Sequence, residues 1–205
     1  MAKLDLKRDL KHLYTASAQD VQLVDVPPLQ YLMVDGRGDP NGNVDYMAAI
    51  QALFSLSYAL KFAIKKGPTG LDYAVMPLEG QWWVDDLAAF SYTERSAWRW
   101  TAMVLQPSSV TADLVAEQTA VVAKKKSLPA LPLVRFAELA EGQAAQILHR
   151  GPYAEEPPTI ERLHAEIAAR GLRLVGKHHE IYLTDVSRTA PDKLRTILRQ
   201  PIAPA

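Results

Sequence analysis

Cysteine is missing from all 205 residues of the sequence. Disulfide frameworks and thiolate metal sites are therefore excluded. An excess of charge of one sign is missing as well, because 23 Lys and Arg residues balance 23 Asp and Glu residues. A nucleic-acid-binding domain usually carries a basic surplus, since neutralising phosphates supplies most of its affinity. The basic run Lys124, Lys125 and Lys126 is typical of a solvated helix end. We therefore expect no nucleic-acid partner.

Long uninterrupted apolar runs are also lacking. The most apolar stretch, residues 48–64, contains the polar side chains of Gln51, Ser55, Ser57 and Lys61. On that basis it is too short and too polar to span a bilayer. Residues 1–14 are charged throughout and have no apolar signal core. The sequence therefore predicts a cytoplasmic protein with no membrane partner.

Motifs for metal, phosphate or nucleophilic chemistry are missing too. His178 and His179 are adjacent in a predicted strand, so they point to opposite faces and cannot bind one ion together. The glycine-rich turn at residues 36–42 lacks the glycine spacing and the lysine of a phosphate loop. No GxSxG nucleophile motif occurs in the sequence. We expect neither a metal nor a cofactor.

The sequence does contain a doubled order of elements. Residues 23–34, rich in β-formers, predict a strand that ends in the turn at residues 36–42. Helical spacing of apolar residues predicts a helix over 44–66, and residues 73–83 and 98–105 predict two further strands. The first half is therefore predicted to be β-α-β-β.

The second half repeats that order. Residues 134–148 predict strand structure with an interruption at Glu141 and Gly142, and residues 159–169 predict a capped helix. Residues 174–184 and 193–199 predict two further strands. A helix predicted over 110–126 connects the two halves.

Short motifs match between the halves in the same order. An Arg-Gly pair opens each turn, at residues 37–38 and 150–151, and a Gln-Pro pair ends the last strand of each half. Glu79 and Glu180 occupy corresponding strands. The sequence thus predicts an α+β fold of tandem duplicated β-α-β-β modules with antiparallel sheets, the halves spanning about 20–107 and 132–202. A duplicated unit places its ligand cleft on the pseudo-two-fold seam, with one carboxylate from each half beside it.

Side-chain alternation along the strands selects candidates for this cleft. In each of three predicted strands, the candidates lie on the same face of that strand. These groups are Glu180 with His178 and Tyr182, Glu79 with Gln81 and Trp83, and Trp98 with Trp100. Aromatic walls suit planar apolar ligands. A buried carboxylate suits a cation, or takes a proton from water as a general base. Two plainer interpretations stay open: the tryptophans are core residues, and alternation places Glu180 in water because Ile181 and Leu183 occupy the buried face.

At these residues the sequence resembles the GyrI-like family of small-molecule-binding domains. The matching stretches include YAVMPLEGQWW at 73–83, WRWTAMVLQP at 98–107, QILHRGPYAEEPPTIERLH at 146–164 and GKHHEIYLTD at 176–185. The resemblance covers residues from about 20 to 202. It implies a tandem β-α-β-β fold (GyrI-like, SHS2-type) with a ligand cleft between the halves, in a stand-alone form without a DNA-binding helix-turn-helix. In multidrug-sensing members a carboxylate at the position of Glu180 meets lipophilic cations.

The stand-alone branch with PLEGQWW and HHEIYL is similar to proteins that hydrolyse cyclopropanoid, DNA-alkylating compounds. This resemblance implies that Glu180 or Glu79 deprotonates the attacking water. Tyr182 would donate to the dienone oxygen, and Trp83 and Trp100 would stack on the flat ring system.

The expected partner is therefore a planar hydrophobic or cationic small molecule. The ligand-binding candidates are Trp83, Trp98, Trp100, His178, Gln81 and Tyr153. The alternative is a non-catalytic protein that sequesters or senses such ligands or acts through a protein partner.

Overall fold

The computed structural model of the chain describes residues 3–85 and 95–205. The strands are β1 (Lys3–Leu4), β2 (Gln22–Val26), β3 (Leu29–Arg37), β4 (Asp72–Tyr73), β5 (Leu78–Trp83), β6 (Arg99–Leu105), β7 (Arg135–Leu139), β8 (Gly142–Arg150), β9 (Leu172–Leu174), β10 (His178–Tyr182) and β11 (Arg195–Pro204). The helices are α1 (Leu6–Asp9), α2 (Lys11–Tyr14), α3 (Val44–Lys66), α4 (Ala112–Lys125) and α5 (Pro157–Ala169). The prediction of an α+β fold with antiparallel strands is confirmed.

One antiparallel sheet runs through the whole chain in the order β2-β8-β11-β10-β5-β6-β3-β7. Strand β9 pairs with the last residues of β11, and β1 and β4 form a separate parallel pair. In chain order β3, α3, β5 and β6 are followed by β8, α5, β10 and β11. Two of the predicted strand segments are each two strands in the structure. Pro27 and Pro28 separate β2 from β3, and residues 140–141 separate β7 from β8, next to the predicted interruption at Glu141 and Gly142.

These two short connections force the sheet to curl. The first joins β2, at one end of the sheet order, to β3, which is next to the other end. The second joins β7, at that other end, to β8, which is next to β2. Two residues span only about 7 Å, far less than the width of six strands. The sheet therefore curls until its ends approach each other. We call the face enclosed by the curl the inner face, and the face that carries α3 and α5 the helix face.

Helix α3 begins and ends where its sequence signals lie. The Asn43 side chain accepts hydrogen bonds from the backbone amides of Asp45 and Tyr46, and Lys65 and Lys66 occupy the last turn. The sequence analysis expected this stretch to be too short and too polar to span a bilayer, but α3 is long and apolar enough to do so. The core helix of a globular protein can have the same length and composition. In the structure it packs on the sheet through a buried face that includes Ala49, Leu53, Leu56 and Leu60.

Candidate functional site

A cavity of about 680 Å³ opens on the helix face, where residues of α3, α5, β5 and β10 meet. Its apolar lining includes Tyr46, Met47, Ile50, Phe54, Met76, Trp82, Trp98, Tyr153, Ile160 and Leu183. Glu156, Glu180 and Tyr182 supply polar groups to the same lining. The size lies within the range of small-molecule pockets, and so does the mixture of mostly apolar walls with a few polar groups.

Strand register places Glu180 in this cavity. Residues paired across neighbouring strands share a sheet face, and Glu180 pairs with Gly80 of β5 and with Leu198 of β11. The Glu180 side chain is buried, with 8% of the residue exposed. Gly80 leaves the space beside it open, because a Cβ atom there would lie 3.0 Å from Trp82 Nε1 and 3.1 Å from the Tyr182 hydroxyl oxygen.

A chain of hydrogen bonds holds the Glu180 carboxylate. Trp82 Nε1 donates to the Tyr182 hydroxyl at 3.2 Å, and that hydroxyl donates to Glu180 Oε2 at 2.7 Å. His178 Nε2 lies 3.5 Å from the other carboxylate oxygen, Oε1. Burial and the charge of Glu180 raise the pKa of Tyr182 well above its usual value. Tyr182 therefore keeps its proton and directs it at Glu180, which fixes the orientation of the carboxylate.

Glu156 contributes a second carboxyl group, which the sequence analysis did not select. It lies directly before α5 and is 5% exposed, and its Oε1 has no hydrogen-bond partner among the described residues. Burial and the charge of Glu180 raise the pKa of Glu156 to about 9, and Thr196 and Arg95 act in the opposite sense. The signal in the sequence was Glu155-Glu156 before two prolines, but nothing in it told which glutamate turns inward.

Aromatic rings of the cavity lie at contact distances from one another. The Trp82 ring lies 5.7 Å from Tyr46 and 5.8 Å from Trp98, measured between centroids, and both pairs are tilted. Tyr153 meets Tyr182 edge-on at 5.5 Å. Such tilted and edge-on pairs are stabilising and keep the rings in fixed positions. The cavity thus presents preformed aromatic surfaces to a ligand.

The structure brings some of the predicted residues together around the cavity. Glu180, Tyr182, Trp98 and Tyr153 line it, and His178 lies beside Glu180. Trp100 is on the helix face but is not part of the lining. It is 1% exposed and packs edge-on against Tyr46 at 4.9 Å, so it supports the wall from behind.

Three predicted site residues lie elsewhere. Glu79, Gln81 and Trp83 project from β5 toward the inner face, away from the cavity. The prediction that Glu79 and Glu180 face one cleft is therefore wrong. The motif match between the two halves aligned Glu79 with Glu180. In the sheet, however, Glu180 pairs with Gly80, the residue after Glu79. Neighbouring residues of a strand point to opposite faces, so Glu79 lies on the face opposite to Glu180. For the same reason Trp82, not Trp83, lines the cavity.

On the inner face Glu79 belongs to a buried charge network. Its carboxylate accepts a hydrogen bond from the Tyr14 hydroxyl at 2.5 Å and lies 3.0 Å from His179 Nε2. His179 Nδ1 lies 3.0 Å from Glu141, and Arg199 Nη1 lies 3.5 Å from the same carboxylate. Two carboxylates thus face an imidazole and a guanidinium, which compensates their charges.

The pKa values within this network report the compensation. Burial alone would lower the pKa of His179, but Glu141 and Glu79 raise it to about 9. Burial would likewise raise the pKa of Glu141, but His179 and Arg199 lower it to about 2. Arg199 also donates to the backbone carbonyl of Leu13 at 2.6 Å. The network therefore ties α2 to the sheet, and Glu79 serves structure there.

No group of three or more His, Asp or Glu side chains that could hold a metal ion occurs within residues 3–85 and 95–205.

Comparison with solved structures finds close relatives. A conserved, uncharacterized protein from Listeria innocua is 35% identical, with a TM-score of 0.89 over 98% of this chain and 100% of that chain. A hydrolase from Listeria innocua is also 35% identical over 98% of this chain and 100% of that chain, with a TM-score of 0.84. The C-terminal domain of EcmrR, 12% identical with a TM-score of 0.55 over 91% of this chain and 98% of that chain, shares the fold.

No curated protein matches the chain significantly. Residues 19–203 match the GyrI-like small molecule binding domain. That match covers nearly the whole sequence, and it agrees with the apolar cavity and its few polar groups. The chain therefore belongs to the GyrI-like family of small-molecule-binding domains.

Proposed function

We propose that the cavity binds flat hydrophobic aromatic molecules and that it hydrolyses cyclopropanoid, DNA-alkylating compounds, which would protect the cell from them. The observation that supports this most is the setting of Glu180, a buried carboxylate oriented by Tyr182 among aromatic rings. The 35% identity to a Listeria innocua hydrolase over 98% of this chain adds support for hydrolytic chemistry.

Glu180 is the general base in this proposal. Its carboxylate takes a proton from a water molecule whose oxygen attacks the methylene carbon of the strained ring. The carbon–carbon bond breaks, and its electron pair moves into the dienone, whose oxygen becomes a phenolate and takes up a proton. Because Tyr182 already directs its proton at Glu180, we assign it the task of orienting the base. Glu79 is not the base, because it lies on the inner face.

Glu180→Gln tests the catalytic part. Glutamine keeps the shape and hydrogen bonding of the side chain but cannot take a proton. Single-turnover hydrolysis of a cyclopropane-dienone should fall about 100- to 10,000-fold, while a fluorescence titration shows nearly unchanged affinity for the flat ligand. The matched control is Glu155→Gln, since Glu155 is exposed and lies next to a cavity residue. Equal rates in Glu180→Gln and the parent protein would remove Glu180 from the mechanism.

A second candidate function is binding without catalysis. A buried carboxylate beside aromatic rings also stabilises a lipophilic cation, through charge and cation–π contacts. Trp82 and Trp98 lie in the same lining as Glu180, which supplies both kinds of contact. Ligand binding by a parent protein that shows no hydrolysis would favour this function.

We also propose that the halves at about 20–107 and 132–202 arose by duplication. The sheet order supports this. Exchanging β2 with β7, β3 with β8, β5 with β10 and β6 with β11 reproduces the same order read from the other end. Helices α3 and α5 exchange in the same way and flank the cavity from both sides.

A further inference from the structure

Two buried glutamates line the cavity, and the polar groups around their carboxyl groups differ. The Glu180 carboxylate accepts a hydrogen bond from Tyr182 at one oxygen, and its other oxygen lies 3.5 Å from His178 Nε2. Glu156 is more deeply buried, and its Oε1 is without a hydrogen-bond partner in the described part of the chain. Its side chain does not cap α5 either. Two buried carboxyl groups close together in an apolar cavity do not both ionise readily, and Glu156, the more deeply buried of the two, keeps its proton.

The surroundings of Glu156 favour that assignment. Glu180 of β10 repels a second negative charge, and burial disfavours it further. Tyr153 and Tyr182 are themselves held protonated by burial and by the nearby carboxyl groups. Thr196 of β11 and Arg95 act toward ionisation, and their effect is smaller. Of the two buried glutamates, Glu156 is therefore the one that holds a proton that can be lost.

We infer that Glu156 is a second ligand-binding group, which gives up its proton to solvent when a lipophilic cation enters the cavity and then pairs with that cation. The inference rests on the proposed binding of flat aromatic ligands and does not require hydrolysis. A positive charge between the two carboxyl groups removes the repulsion from Glu180 and attracts an ionised Glu156. Binding of a cation is therefore coupled to release of a proton, whereas binding of a neutral ligand of the same shape is not.

Two flat probes of nearly equal shape test this coupling: 10-methylacridinium, a permanent cation, and 10-methylacridone, which is neutral. Calorimetric titrations at pH 8 in phosphate and in Tris, buffers with different heats of ionisation, count the protons released on binding. We expect release for methylacridinium only. Its affinity should also rise between pH 6 and pH 9, by up to about tenfold per pH unit, while that of methylacridone stays constant.

Glu156→Gln resembles the protonated acid, so the variant should fold and bind methylacridone like the parent. It should lose both the proton release and the pH dependence of methylacridinium binding. Glu155→Gln is the matched control and should keep both. His179, whose pKa is also about 9, is present in all three proteins and so cancels in the comparison.

The outcomes separate the inference from the proposed function. Proton release that persists in Glu156→Gln would overturn the inference, and so would methylacridinium affinity in the parent that does not change with pH. In both cases methylacridone binding would leave the cavity assignment intact. If neither probe binds the parent at any pH, the proposed function falls and the inference falls with it.

Discussion

Replacing His179 by glutamine should lower the free energy of unfolding by about 3 kcal/mol at pH 6 and by much less at pH 9.5. His179 lies between Glu79 and Glu141, 3.0 Å from each, and is completely buried. Glutamine retains hydrogen bonding but not the positive charge, so it leaves two carboxylates facing Arg199 alone. Removing one partner from a buried charge network typically costs 3–5 kcal/mol.

The size and pH range of this effect follow from the pKa of His179. Raising that pKa from 6.5 to about 9 is worth about 3 kcal/mol, at roughly 1.4 kcal/mol per pH unit. Because the pKa is higher in the folded state, the stabilisation is complete below pH 6.5 and is lost as the pH rises through 9. The lowered pKa of Glu141 arises from the same ion pair with His179. Its contribution is therefore already contained in the value of about 3 kcal/mol.

Urea unfolding at pH 6, 7.5 and 9.5 measures the effect, with His12→Gln as a control because His12 is exposed. At pH 6 the loss corresponds to a melting temperature lower by roughly 6–12 °C for a domain of this size. The difference between parent and His179→Gln should shrink as the pH rises. A difference of constant size across this range would refute the assignment of a charged imidazole at this position.

Four further substitutions have expected outcomes. Trp82→Ala should abolish most methylacridone binding in a fluorescence titration, whereas Trp83→Ala should leave it intact; the reverse result would contradict the strand register. Gly36→Ala should lower the free energy of unfolding in urea by roughly 1–3 kcal/mol, because its Cβ would lie 2.1 Å from the Trp100 ring, and parent-like stability would contradict this packing. Glu79→Gln should lower stability in urea but leave methylacridone affinity unchanged, and a large loss of affinity would contradict its place on the inner face.

The fold was largely predictable because its elements follow local rules. The helical spacing between residues 44 and 66, with Asn43 before it and Gly67 after it, marks α3 almost to the residue. The β-rich segments likewise mark the strands, although each segment with an internal break turned out to be two strands at opposite ends of the sheet order. The curl of the sheet could not be predicted in this way, since it depends on which distant strands pair.

The site was predictable only in part, for a physical reason. Alternation tells which side chains share a face of a strand, but not which face turns toward a cavity. The doubled motif order and the resemblance both marked Glu180, against the plainer expectation that it lies in water. Trp83 was chosen in place of Trp82 by the same ambiguity. Glu156 lies at the start of a helix, where the direction of a side chain is set by the packing of α5 on the sheet.

The curled sheet also determines the order in which the chain can become structured during synthesis. Strand β2 emerges early, but its partner β8 is made only after α3, α4 and most of the first half. Strands β10 and β11 complete the centre of the sheet and are made after its other strands that precede them in the chain. Pairings so distant in sequence form slowly and leave strand edges open in the meantime. Because Glu180 arrives with β10, a ligand can stabilise the cavity only after most of this sheet has been made.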